Sequence, residues 1–81
     1  MDFWNIERYI MFAKLIMSRN TCPSSDEEFE ISADEFIVNV SSIKILNPCA
    51  VGDYVSYTLS LNGYTYSIKS EDAEKLIKEF A

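Results

Sequence analysis

The chain has no histidine among its 81 residues, and only two cysteines, two glycines and two prolines. Without histidine, Ser–His and Cys–His nucleophilic pairs cannot form within one chain. The side chain most readily tuned for proton transfer near neutral pH is missing as well. Two thiols fall short of the four Cys or His ligands that a structural zinc site uses. Scarce glycine leaves no phosphate-cradling loop, and the acidic residues lack the spacing and glycine of a calcium loop. Neighbouring carboxylates such as Glu27 and Glu28 are present. A glycosidase-like pair, however, needs opposed carboxylates in a cleft that so small a domain hardly builds. The sequence therefore assigns no catalytic residue, no metal and no cofactor, and the expected role is non-enzymatic.

Basic residues are also few. Seven Lys and Arg against thirteen Asp and Glu give a formal net charge of −6. Direct nucleic-acid binding is disfavoured, because neutralising phosphates supplies most of that affinity. The first apolar run is broken by Glu7, Arg8 and Lys14, so it reads as neither a signal peptide nor a membrane span. Cytoplasmic residence with free thiols is expected, and a Cys22–Cys49 bridge is the arithmetical alternative. At 48% hydrophobic and 14% aromatic, residues 1–81 read as one folded domain with a single small core.

Residues 2–19 contain neither Gly nor Pro, and Asp2 is placed to cap a helix. Phe3, Ile6, Ile10, Ala13 and Met17 recur in three- and four-residue steps, which predicts a helix with one core-facing stripe. Trp4, Tyr9, Met11, Phe12, Leu15 and Ile16 fall outside that stripe. A helix apolar nearly all round must be covered nearly all round. Either its aromatics fill a core on both sides, or Trp4 and Phe12 meet a second protein, a copy of the chain or a target.

After a turn-forming Asn20–Asp26 connector comes the acidic stretch 26–35, with Asp26, Glu27, Glu28, Glu30, Asp34 and Glu35 and no base. Phe29 and Ile31 alternate with Glu28 and Glu30, which predicts a short edge strand over Glu28–Ser32 with an acidic outer side. Glu27, Glu28, Glu30, Asp34 and Glu35 are its candidate partner-binding residues, the alternative being a solvated edge whose charges block sheet aggregation. Phe36–Leu46 is strongly β in character. Phe36, Val38 and Val40 are out of phase with Ile43 and Ile45, so a bulge or helical turn is expected around Ser41-Ser42. Asn47-Pro48 reads as the strand's end.

Asp53–Phe80 is the most legible stretch. Asn62-Gly63 between β-rich runs predicts a type I′ hairpin. Ser70 caps a helix carrying Ala73, Leu76, Ile77 and Phe80 on one stripe, with Glu71 and Asp72 at the positive end of the macrodipole. Tyr54, Tyr64 and Tyr66 on the hairpin are candidate recognition residues, since tyrosine joins an apolar ring to a polar tip. Cross-strand pairing under a covering helix accounts for them equally.

Val38, Asn39, Ile43, Leu61, Asn62, Gly63, Ile68, Ser70 and Leu76 resemble the pattern "VN-x-x-x-I … L-x-NG-x-x-x-x-V-x-x-S-x-x-x-x-x-L". It belongs to FlbD-type flagellar proteins and to the C-terminal half of LytTR-type DNA-binding domains, and here it covers about half the chain. The resemblance implies a helical turn after Asn39 and an antiparallel strand–strand–helix unit. LytTR-type domains carry basic residues where they touch DNA, whereas this chain has Lys69 beside Glu71 and Asp72. What carries over is a regulatory module acting through homodimerisation or a partner. In size, acidity and lack of catalytic residues the chain is also similar to phage and mobile-element inhibitors, anti-CRISPR proteins among them.

The expected architecture is α+β, in the order α-β-β-β-β-α: an antiparallel sheet of three to four strands with an N-terminal and a C-terminal helix on one face. The expected function is binding to, and inhibition or modulation of, a larger protein with a basic nucleic-acid-handling surface. The alternative is the FlbD- or LytTR-like module, pairing through its first helix.

Overall fold

The computed structural model describes residues 12–80. Within them lie five strands and two helices: β1 (Phe12–Ser18), α1 (Asp26–Ile31), β2 (Ala33–Asn39), β3 (Ile43–Val51), β4 (Tyr54–Leu61), β5 (Tyr64–Lys69) and α2 (Ser70–Phe80). A 3₁₀ turn over Val40–Ser42 joins β2 to β3. All pairings are antiparallel, in the order β2-β1-β5-β4-β3.

The curl of this sheet follows from its connectivity. Strands β2 and β3 form opposite edges, yet only three residues link them. A flat sheet would hold its edges roughly 19 Å apart, whereas Asn39 to Ile43 spans at most about 14 Å. The sheet therefore bends round upon itself. Two contacts agree with this. Phe36 of β2 and Tyr66 of β5 bring their rings to 5.1 Å although β1 lies between them. The β1–β2 ribbon joins the β3–β4–β5 meander at one register position, Ser18 beside Ser67, and departs from it elsewhere. On the concave side Leu15, Met17, Val38, Leu59 and Ile68 share a core with Ala73 and Leu76 of α2.

The convex side is covered at one end by the connector between β1 and β2. Its ends meet where the Arg19 N–H donates to the Ser32 carbonyl at 3.0 Å. Beneath it, β1, β5 and β4 present Ser18, Ser67 and Ser56, all fully buried. Small side chains leave room for the fully buried Phe29 and Pro23 above the sheet. The Asn20 N–H donates to Ser18 Oγ at 3.1 Å, and Ser67 Oγ donates to the Asn20 carbonyl at 2.7 Å. A disulfide ties Cys22 of the connector to Cys49 of β3, with Cα atoms 5.9 Å apart.

Several expectations give way here. The arrangement of three to four strands with two helices on one face does not hold. Five strands are present among the described residues, and the helices lie on opposite sides of the sheet. Residues 12–18 of the expected N-terminal helix form β1 and Arg19 follows it as a bend; residues 2–11, Trp4 included, lie outside the described residues. Along β1 the inward Leu15 and Met17 alternate with Phe12, Lys14 and Ile16. Because two of those outward positions are also apolar, the alternation imitates a greasy helix. The expected acidic strand Glu28–Ser32 is instead largely helix α1, because Ser25 caps it by accepting from the Glu28 N–H. Asn47-Pro48 does not end β3. The strand absorbs both through a register shift between Ile45 and Asn47, on an edge where the missing proline N–H is harmless. The thiols are not free.

Other expectations match the observed elements. Asn62 and Gly63 both have positive φ, 52° and 86°, at the β4–β5 turn. The Val40–Ser42 turn is held by Asn39, whose side-chain oxygen accepts from the Ser41 N–H at 3.0 Å. Ala73 and Leu76 of α2 are buried as the stripe predicts, while Ile77 stays exposed.

Candidate functional site

The acidic stretch 26–35 is divided between α1 and β2, and the fold puts most of its carboxylates to internal use. Lys69 extends across the Phe29 ring, with Nζ 5.5 Å from the centroid. The same ammonium lies 3.6 Å from Asp26 Oδ1 and 3.5 Å from Glu30 Oε2. Tyr54 donates its hydroxyl to Asp26 at 2.8 Å. Glu28 accepts from the Ser24 N–H at 3.0 Å, a variant of the capping box in which the carboxylate holds the residue before the cap. Asp34 pairs with Arg19. Glu27 and Glu35 are exposed, and neither has a partner among the described residues.

Titration behaviour follows these contacts. Hydrogen bonding from Ser24 holds the Glu28 carboxyl below its ordinary range. Burial, then the Asp26 hydrogen bond and carboxylate, push Tyr54 up to about 12. Burial pulls Lys69 down, but Asp26 and Glu30 outweigh it and the net movement is upward. The hydrogen bond to Asp34 raises Arg19 further.

Of the aromatic candidates, Tyr54 fastens α1 to β4 and is only partly exposed. Tyr66 packs on Phe36 and belongs to the concave core. Tyr64 is exposed beside the hairpin turn. Phe12 stands 63% exposed on the convex side of β1. The candidates thus do not converge on one surface: Glu27, Glu28, Glu30 and Tyr54 meet at α1, Asp34 and Glu35 lie on β2 next to the strand that carries Phe12, and Tyr64 and Tyr66 lie on β5.

Sequence reasoning missed three exposed isoleucines, Ile16 on β1, Ile37 on β2 and Ile31 at the end of α1. They would stand out only once the strand register and the helix were known. It also missed an open groove of about 410 Å³ where β1 leaves β5, floored by Leu15 and Leu76 and flanked by Lys14, Asp72 and Lys75. Among the described residues no cluster of His, Cys, Asp or Glu is arranged to hold a metal, and no helix is long and apolar enough to cross a membrane. No protein-family model, no curated protein and no solved structure gives a significant match to this chain.

Proposed function

We propose that this is a small acidic, non-enzymatic protein that binds a larger protein through the outer side of α1 and inhibits or modulates it. The observation that carries the reading is Ile31, 77% exposed at the end of α1, on the same short helix as Glu27, which has no partner among the described residues. Asp26 and Glu30 keep roughly two thirds of their side-chain surface open despite Lys69. An apolar anchor with carboxylates around it fits a basic surface with a central apolar pocket. A nucleic-acid-handling partner has a basic surface, because neutralising phosphates requires one. With Cys22 and Cys49 joined, free thiols no longer support the cytoplasmic expectation, which rests on the nucleic-acid-handling partner alone.

The test is affinity capture with the immobilised, oxidised full chain over a salt series, comparing wild type with Glu27→Lys and Ile31→Asp. A specific partner should be held by the wild type, released as salt rises, and lost with either variant. A partner retained equally by both variants would refute the α1 surface. Turnover of a substrate by purified protein would refute the non-enzymatic reading.

A further inference from the structure

We infer that the convex face of the β1–β2 ribbon is a self-association surface on which two copies of this chain pair about a two-fold axis. Directly opposed residues of an antiparallel pair share a side. The register Phe12↔Asn39, Lys14↔Ile37 and Ile16↔Glu35 therefore puts Phe12, Lys14, Ile16, Glu35 and Ile37 on one face. It is the face opposite Leu15, Met17 and Val38, which fill the core. Phe12 is 63%, Ile16 47% and Ile37 72% exposed. Three large apolar side chains standing together on a small ribbon form the kind of patch that a second surface covers.

Charge identifies the occupant. The chain carries −6, so most of its surface repels a copy of itself. This face does not, because Lys14 and Glu35 cancel. Each is exposed, and neither is ion-paired to a described residue. They sit diagonally across the ladder, one opposite Ile37 and the other opposite Ile16. A two-fold axis through such a patch brings Lys14 of each copy to Glu35 of the other, with the apolar chains meeting between them. That is the self-complementarity an isologous interface requires.

The sheet edges offer a poorer route. Strand β2 carries Asp34 and Glu35 at its edge, and β3 carries a register shift and Pro48, which has no N–H to donate. Both features discourage edge-to-edge pairing. Two seven-residue strands make an interface at the small end of the specific range, so a reversible, micromolar dimer is expected. This surface is separate from Glu27 and Ile31, so the inference stands or falls independently of the proposed function.

The experiment is sedimentation equilibrium of the oxidised full chain from low micromolar to millimolar concentration, with far-ultraviolet circular dichroism to verify folding. Wild type should show a reversible monomer–dimer equilibrium, and Ile37→Asp should stay monomeric. Lys14→Glu or Glu35→Lys alone should weaken association roughly tenfold, since each alters two symmetric contacts. The double variant carrying both changes should recover most of the lost affinity, which a folding defect would not produce. A wild type that stays monomeric throughout, or a double variant as weak as the single ones, would overturn the inference.

Discussion

Removing the Cys22–Cys49 bridge should be among the most damaging small changes this chain can suffer. The two residues are 27 apart in sequence, and cross-linking a loop of that length removes denatured-state entropy equivalent to about 3.5 kcal/mol at room temperature. A domain of this size has a total stability of about 4–12 kcal/mol, so the bridge is a large part of it. The double variant Cys22→Ser/Cys49→Ser, or the wild type under reductant, should unfold at a midpoint about 15–25 °C lower. At low temperature its circular dichroism should still match the oxidised protein. The connector remains docked by Phe29, by Lys69 between Asp26 and Glu30, and by the Tyr54–Asp26 hydrogen bond. The assay is urea and thermal unfolding in parallel with thiol titration of the denatured, unreduced chain. Two reactive thiols in that titration would refute the bridge. A bridged protein whose midpoint ignores reduction would refute the claim that closing this loop stabilises the fold.

Two further outcomes follow from the convex side. Ser56 is fully buried, and its hydroxyl has no hydrogen-bond partner among the described residues. Ser56→Ala should therefore raise stability by about 1 kcal/mol in urea titration, and a loss of similar size would mean the hydroxyl is satisfied. Tyr54 is raised from 10.0 to about 12, so the folded chain keeps its proton where the unfolded chain ionises. The stability this group contributes is complete below pH 10 and is lost as pH climbs through 12. Tyrosinate absorbance should show a late-titrating fraction that Tyr54→Phe removes, and a titration unchanged by Tyr54→Phe would refute the Tyr54 assignment.

Local rules were legible wherever one residue type is required by one backbone state. Asn62-Gly63 satisfies a turn with two positive φ values, Asn39 caps a helical turn, and the α2 stripe buries Ala73 and Leu76. Legibility failed where the deciding partner is distant in sequence. Nothing local reveals that Phe12 and Ile16 face outward on a ribbon, so the period-two signal of β1 is hidden by its own apolar outer positions. For α1 the signal was present and was outweighed: Ser25 followed three residues later by Glu28 is a capping-box spacing. The alternation of Phe29 and Ile31 with glutamates pointed the other way. A helix with one buried residue carries too little periodicity to overrule it. Pairing Cys22 with Cys49 required the connector to cross the sheet, which only the tertiary structure reveals.

The same tertiary contacts change what the acidic stretch can do. Six carboxylates in ten residues suggest a strong local field, but Lys69 and Arg19 fold against three of them and the Ser24 N–H engages a fourth. The charge left for a partner is therefore smaller than the residue count implies, and it is carried chiefly by Glu27 on α1 and Glu35 on β2. Reversing Glu30 would also repel Lys69 from its place over Phe29, and reversing Asp34 would break the Arg19 pair. Lost binding in those variants would mix a missing contact with a loosened connector. The Glu27 side chain makes no hydrogen bond or ion pair with a described residue, so its reversal changes the field a partner meets and leaves the described polar contacts of the fold in place. For that reason a claim about acidic recognition by this chain stands or falls on Glu27.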